Sequence, residues 1–173
     1  MDDIDGAVVA FRQALELDSN LSFDPEKKAR QMEPSWLVDR GRKLAEQGAI
    51  REAMAAFAAA QESDPNLEIA ADAWNSLCWF GSLGGFVTDV MAACEQAVAL
   101  EPDHGSFRDS RGVARALTED YPGAINDFQR FLEWGPKNGE SEESIRQRQD
   151  WIRMLQANQN PFNEELLKLL RDQ

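Results

Sequence analysis

Residues 71–104 read ADAWNSLCWFGSLGGFVTDVMAACEQAVALEPDH, and residues 105–138 follow without a gap as GSFRDSRGVARALTEDYPGAINDFQRFLEWGPKN. Laid over one another, the two stretches pair Cys78 with Gly112, Val90 with Ala124, Cys94 with Phe128, Ala97 with Phe131 and Pro102 with Pro136, a period of 34 residues. An earlier copy holds Gly41, Ala53, Phe57 and Ala60 at the same distances before Pro65. Small side chains at fixed helical spacing let two helices approach closely. Phe57 and Phe128 fill the space between them, glycines at Gly48 and Gly84-Gly85 turn the chain, and proline stands at the exit. The pattern predicts three helix hairpins, over 34–67, 71–104 and 105–138, with 68–70 as a small insertion.

The flanks depart from this period. In residues 3–18, Ala7, Phe11 and Ala14 repeat the spacing of Ala53, Phe57 and Ala60. That predicts the second helix of a preceding hairpin whose first helix lies upstream in a larger protein, or alternatively a capping helix. With the linker that follows it makes up residues 1–33. Asp24-Pro25-Glu26 opens a helix of about two turns that Pro34 is expected to end. Residues 139–173 hold two further helices. One starts at Ser141-Glu142-Glu143 with Ile145, Trp151, Ile152 and Leu155 on its apolar face, and Asn160-Pro161-Phe162-Asn163 separates it from a last one over Glu164 to Arg171. Terminal helices of this kind cover the open face of a repeat array.

A 34-residue, two-helix period with small residues at the crossing and proline at the exit resembles the tetratricopeptide repeat (TPR) family. Ala73-Trp74-Asn75-Ser76-Leu77-Cys78-Trp79-Phe80-Gly81-Ser82-Leu83, Val90 to Glu95, Arg108 to Thr118 and the ending Asn160-Pro161-Phe162 look like the TPR module of bacterial, especially cyanobacterial, signalling proteins. There such a module is joined to caspase-like peptidase, WD-repeat or STAND-type NTPase parts. The resemblance implies an all-α, right-handed superhelical solenoid that binds proteins. It implies no catalytic residue and no cofactor.

Composition narrows the function classes. Eighteen basic residues against 31 acidic ones give a net charge of −13, the wrong sign for binding nucleic acid or an anionic membrane. One His and two Cys are too few for a four-ligand zinc site or a disulfide scaffold. The longest uncharged stretch, Ala73 to Thr88, is too short and too polar to span a bilayer. The start Met-Asp-Asp lacks the basic and apolar regions of a signal peptide. With the two Cys read as buried thiols, these features predict a cytoplasmic protein. Asp103, His104 and Ser106 are triad residue types, but neighbours in sequence cannot take up triad geometry. Gly81 to Gly85 lacks the lysine of a phosphate loop. No enzyme activity is expected of these residues.

In a TPR array the second, fifth, ninth and twelfth positions of each repeat face the concave groove. Here these are Ser35, Val38, Arg42 and Ala45, then Asp72, Asn75, Trp79 and Ser82, then Ser106, Asp109, Val113 and Ala116. Arg42, Asp72, Asn75, Trp79, Asp109 and Val113 are the candidate peptide contacts, with Trp79 the candidate hot spot. Its alternative role is packing against a turn or a terminal helix. Arg108, Arg111 and Arg115 share one helix face. Arg108 and Arg115 are candidate contacts for an acidic partner, or else all three offset the run from Glu52 to Phe107, which has nine acidic residues and no Lys or Arg, or pair with Glu95, Glu101 or Asp120. The carboxylate clamp by which some TPR domains hold chaperone tails is missing, since Val38, Arg42, Ser106 and Ser110 stand at its positions. The expected partner is a protein or peptide, bound by a monomeric module. A regulatory segment of an enzyme lying upstream and a self-assembly module are the alternatives.

Overall fold

A computed structural model of the protein describes residues 4–18 and 20–172. Asp3 of the expected opening helix and Ser19 of the linker lie outside the described residues, as do Met1, Asp2 and Gln173. Among those described, the chain forms nine α-helices, a single 3-10 turn and no strand, so the fold is all-α. No helix is long and apolar enough to cross a membrane among these residues. The helices divide into two compact units, residues 1–69 and 70–173.

The first unit holds α1 (Ile4–Leu17), α2 (Pro25–Glu46) and α3 (Ile50–Ser63). Asp24 caps α2, its carboxylate accepting the N–H groups of Glu26 at 2.9 Å and Lys27 at 3.0 Å, with Pro25 opening the helix. The stop expected at Pro34 does not occur, and the helix runs through it to Glu46. A proline inside a helix removes one N–H and crowds the preceding turn, at a cost of about 3 kcal/mol. Pro34 and Ala29, five residues earlier, are both buried in the packed unit that holds the helix through the proline, so two predicted helices become one of 22 residues. Further along, a Cβ on Gly41 would lie 2.6 Å from the ring of Phe57. The glycine is what lets α2 and α3 close on each other.

The second unit holds α4 (Ala71–Leu83), α5 (Val87–Leu100), α6 (Gly105–Leu117), α7 (Tyr121–Trp134), α8 (Glu142–Gln156) and α9 (Glu164–Arg171), with the 3-10 turn at Gly135–Lys137. Turns of a few residues make α4 pair with α5 and α6 with α7. At α4, a Cβ on Gly81 would meet Val90 of α5 at 2.5 Å; at α6, one on Gly112 would meet Phe128 of α7 at 2.8 Å. Gly48 and Gly85 hold φ of 78° and 86° just past α2 and α4, where the left-handed region favours glycine. Past α6 the same place is taken by Glu119, with φ 65°. Trp151 is buried in the main core, whereas Trp74 packs partly exposed on Ala71, Ala97, Val98 and Phe107, and Trp134 lies 5.0 Å from the His104 ring.

Cys78 of α4 and Cys94 of α5 are buried, as their positions predict, but they are not free thiols: they form a disulfide. Small residues at a helix crossing bring the two Cα atoms to 4.8 Å, inside the range a disulfide spans. The pairing removes the two thiols as an argument for a reducing compartment.

Candidate protein-binding face

Five of the six candidate groove residues lie in the second unit; Arg42 lies in the first, with Asp39 at 3.9 Å on its own helix. On α4, Asp72 is exposed near the helix start, and Asn75 and Trp79 are half-buried further along the same face. On α6, Asp109 and Val113 are buried. What covers this side of α4 and α6 is the chain's own C-terminal segment.

Helix α8 packs on α7, and the backbone then passes through Asn158, with φ 58°, to bring α9 back against α4. Leu170 of α9 enters one core with Leu83 of α4, Val113 and Ala116 of α6, Phe128 of α7 and Trp151 of α8. Trp79, Leu166 and Leu167 pack against that core. In the connecting stretch, Phe162 stands 4.8 Å from Trp151 between ring centroids, and Asn160 Nδ2 donates to the Ala116 carbonyl oxygen at 3.0 Å.

Asp109 is held from α8. The guanidinium of Arg148 donates from Nε to Oδ1 at 3.0 Å and from Nη2 to Oδ2 at 2.7 Å, the two-pronged geometry that favours Arg over Lys. The same guanidinium lies over the rings of Trp151 at 4.6 Å and Phe131 at 5.1 Å. Burial pushes the Asp109 carboxyl up from its ordinary value against the pull of Arg148, and Glu140 adds to the rise.

The three arginines of α6 converge on Asp127 of α7, whose side chain is fully buried. Arg111 forks onto it at 2.8 and 2.7 Å, Arg115 reaches it at 2.9 Å and Arg108 at 3.3 Å. Glu95 of α5 accepts from Arg111 at 2.6 Å and Arg115 at 2.9 Å, while Arg108 also donates to the Pro102 carbonyl oxygen at 2.6 Å. Desolvation works against the charge on Arg111, yet the hydrogen bonds and charge of Asp127, followed by those of Glu95, outweigh it and hold the group above its ordinary value. Asp127 is the residue the sequence reading missed. The signal was there: it sits on the stripe of Ala124, Phe128 and Phe131, a position where a lone carboxylate needs cationic partners.

Two polar oxygens on the candidate face are buried with no hydrogen bond from a described residue, Asn75 Oδ1 and Ser82 Oγ, and His104 Nδ1 is a third such atom, at the start of α6. The His104 ring stacks on Phe107 at 3.9 Å, a packing role. No three His, Cys, Asp or Glu side chains converge as metal ligands among the described residues. The site as described is an apolar surface that holds α9, edged by buried charge pairs. Compared with known protein families, with curated proteins and with solved structures, the chain matches none.

Proposed function

We propose that the chain is a protein–protein interaction module of the TPR-type solenoid class, which binds a peptide or helix on the α4–α6 face of its second unit. One observation carries the reading: this face buries a short amphipathic helix of the chain itself, with Leu170 only 2% exposed in a core shared with Val113 and Leu83. A surface that removes leucines from water in this way offers the same apolar gain to a segment from another protein. The 34-residue period, the close glycine crossings at Gly81 and Gly112 and the left-handed turns support the repeat class. The net charge of −13 favours partners with basic residues around an apolar stripe.

The test is affinity capture by the whole chain, its Asp72→Arg variant and its Trp79→Ala variant, with helicity followed by circular dichroism. The expected outcome is a partner held by the parent chain and lost with Trp79→Ala while helicity stays. Asp72 is exposed, so reversing its charge leaves the fold alone and reads the basic component of the partner. A partner retained equally by all three chains would move the binding surface elsewhere.

A further inference from the structure

Helix α9 is held differently from its neighbours. It has eight residues, fewer than a helix needs to persist alone in water. Among the described residues, no ion pair or side-chain hydrogen bond ties Glu164–Arg171 to another helix, whereas α8 is clamped by the Arg148–Asp109 fork. Its hold is apolar and incomplete, for Leu170 is buried, Leu166 and Leu167 are partly covered and Leu169 remains 55% exposed. The anchor lies just before it, at buried Pro161 and Phe162, and only the N-cap Asn163 separates anchor from helix. α9 can therefore leave as a unit while Phe162 stays seated on Trp151.

The surface beneath is also longer than its cover. At 1.5 Å per residue α9 spans about 12 Å, while the 13 residues of α4 span about 20 Å. Along α4, Asn75, Trp79 and Ser82 share one face by their spacing, and two of the three carry a buried oxygen that no described residue satisfies. A buried oxygen left without a hydrogen bond is unfavourable, and a partner whose donor reaches it once α9 has left would relieve that.

We propose that α9 is a displaceable occupant of the α4–α6 face, and that the partner replacing it is a longer amphipathic helix with leucines spaced as Leu166, Leu167 and Leu170 and a polar donor in the stretch beyond. This rests on the reading of the chain as a protein-binding module. The tether gives α9 the advantage of a high effective concentration. The incoming helix overcomes it by covering more of α4. Binding is thus gated by the fraction of molecules in which α9 is off.

The test uses a fluorescent peptide of residues 160–173 as probe and reads anisotropy against the full chain, its Leu170→Asp variant, and Leu170→Asp combined with Trp79→Ala. Loosening α9 should tighten peptide binding by about tenfold or more, the factor expected when the open state is about a tenth of the population or less. Adding Trp79→Ala, or using a peptide with its own Leu167→Asp, should abolish binding. Hydrogen exchange on the unaltered chain gives an arm that needs no variant: α9 amides should exchange about 100-fold faster or more than α6 amides, because α9 opens locally. Equal peptide affinity for parent and Leu170→Asp chains, or α9 amides as protected as those of α6, would overturn the proposal. So would a protein captured through Trp79 equally well by both chains, an outcome that would leave the proposed function standing.

Discussion

Glu119 holds a left-handed backbone at the place where Gly48 and Gly85 stand in the other two hairpins. A side chain there carries strain that glycine avoids, so Glu119→Gly should raise stability by about 0.5–1 kcal/mol after glycine's greater freedom in the unfolded chain is subtracted. A Cβ at Gly48 or Gly85 meets nothing within 4 Å, so Gly48→Ala and Gly85→Ala test the backbone alone and should each cost about 1 kcal/mol. Urea unfolding of the three variants reads both signs. Asp24 gives a pH prediction. Hydrogen bonds from the backbone N–H of Lys27, helped by that of Glu26, hold its carboxyl below the ordinary value of 3.8 despite some desolvation. A lowered folded value means that its contribution is complete above that ordinary value and is lost as the pH falls through the lowered one. A nuclear magnetic resonance titration should place Asp24 below its ordinary value of 3.8, and Asp24→Asn should remove that part of the acid dependence. The turn glycines were legible in the sequence because left-handed φ selects glycine. Glu119 was not, because one residue that tolerates strain carries no mark of doing so. Pro34 misled for the opposite reason, as a strong local stop signal was overruled by burial that only the packed unit supplies.

At the level of helices, the α5–α6–α7 contact depends on one fully buried carboxylate. Asp127→Ala would leave Arg111 buried without its main counter-charge and should destabilise the second unit by about 3–5 kcal/mol. Arg108→Ala should cost less, since its contact with Asp127 is the longest at 3.3 Å. Thermal melts of both variants decide the order, and the reverse order would place the electrostatic centre of α6 elsewhere. Periodicity made the helices of the second unit legible, together with the face each one buries, since Ala124, Phe128 and Phe131 recur at helical spacing. The partner of the arginines was not so plain. The sequence offers Glu95 and Asp120, and both are found there, Glu95 on Arg111 and Arg115 and Asp120 3.7 Å from Arg115. Asp127 instead lies on the stripe of Ala124, Phe128 and Phe131, where a carboxylate is passed over as a break in an apolar face. The candidate face was half legible, for Trp79, Asp109 and Val113 do share one side of the second unit. That α9 covers this side depends on a chain reversal around Asn158, whose left-handed conformation is one option among several for an asparagine.

On the scale of the whole chain, residues 70–173 enclose their own core, with Phe128, Val113 and Leu83 almost wholly buried among side chains of the same unit. A polypeptide of residues 70–173 should therefore fold alone, with a cooperative thermal melt and dispersed amide resonances; a gradual, non-cooperative melt would show that its stability is borrowed. Within it the disulfide should add about 3 kcal/mol, the chain-entropy expectation for a loop of this size, so reduction should lower the melting temperature without changing helicity in the cold. The same bond makes the α4–α5 hairpin a closed covalent ring from Cys78 to Cys94, with the Gly84-Gly85 turn at its rim. A protease that cuts at that turn opens the ring without dividing the molecule. The nicked protein would migrate as a single species in a denaturing gel until a reductant is added, and would then separate into one piece ending near Gly85 and another carrying α5 through α9.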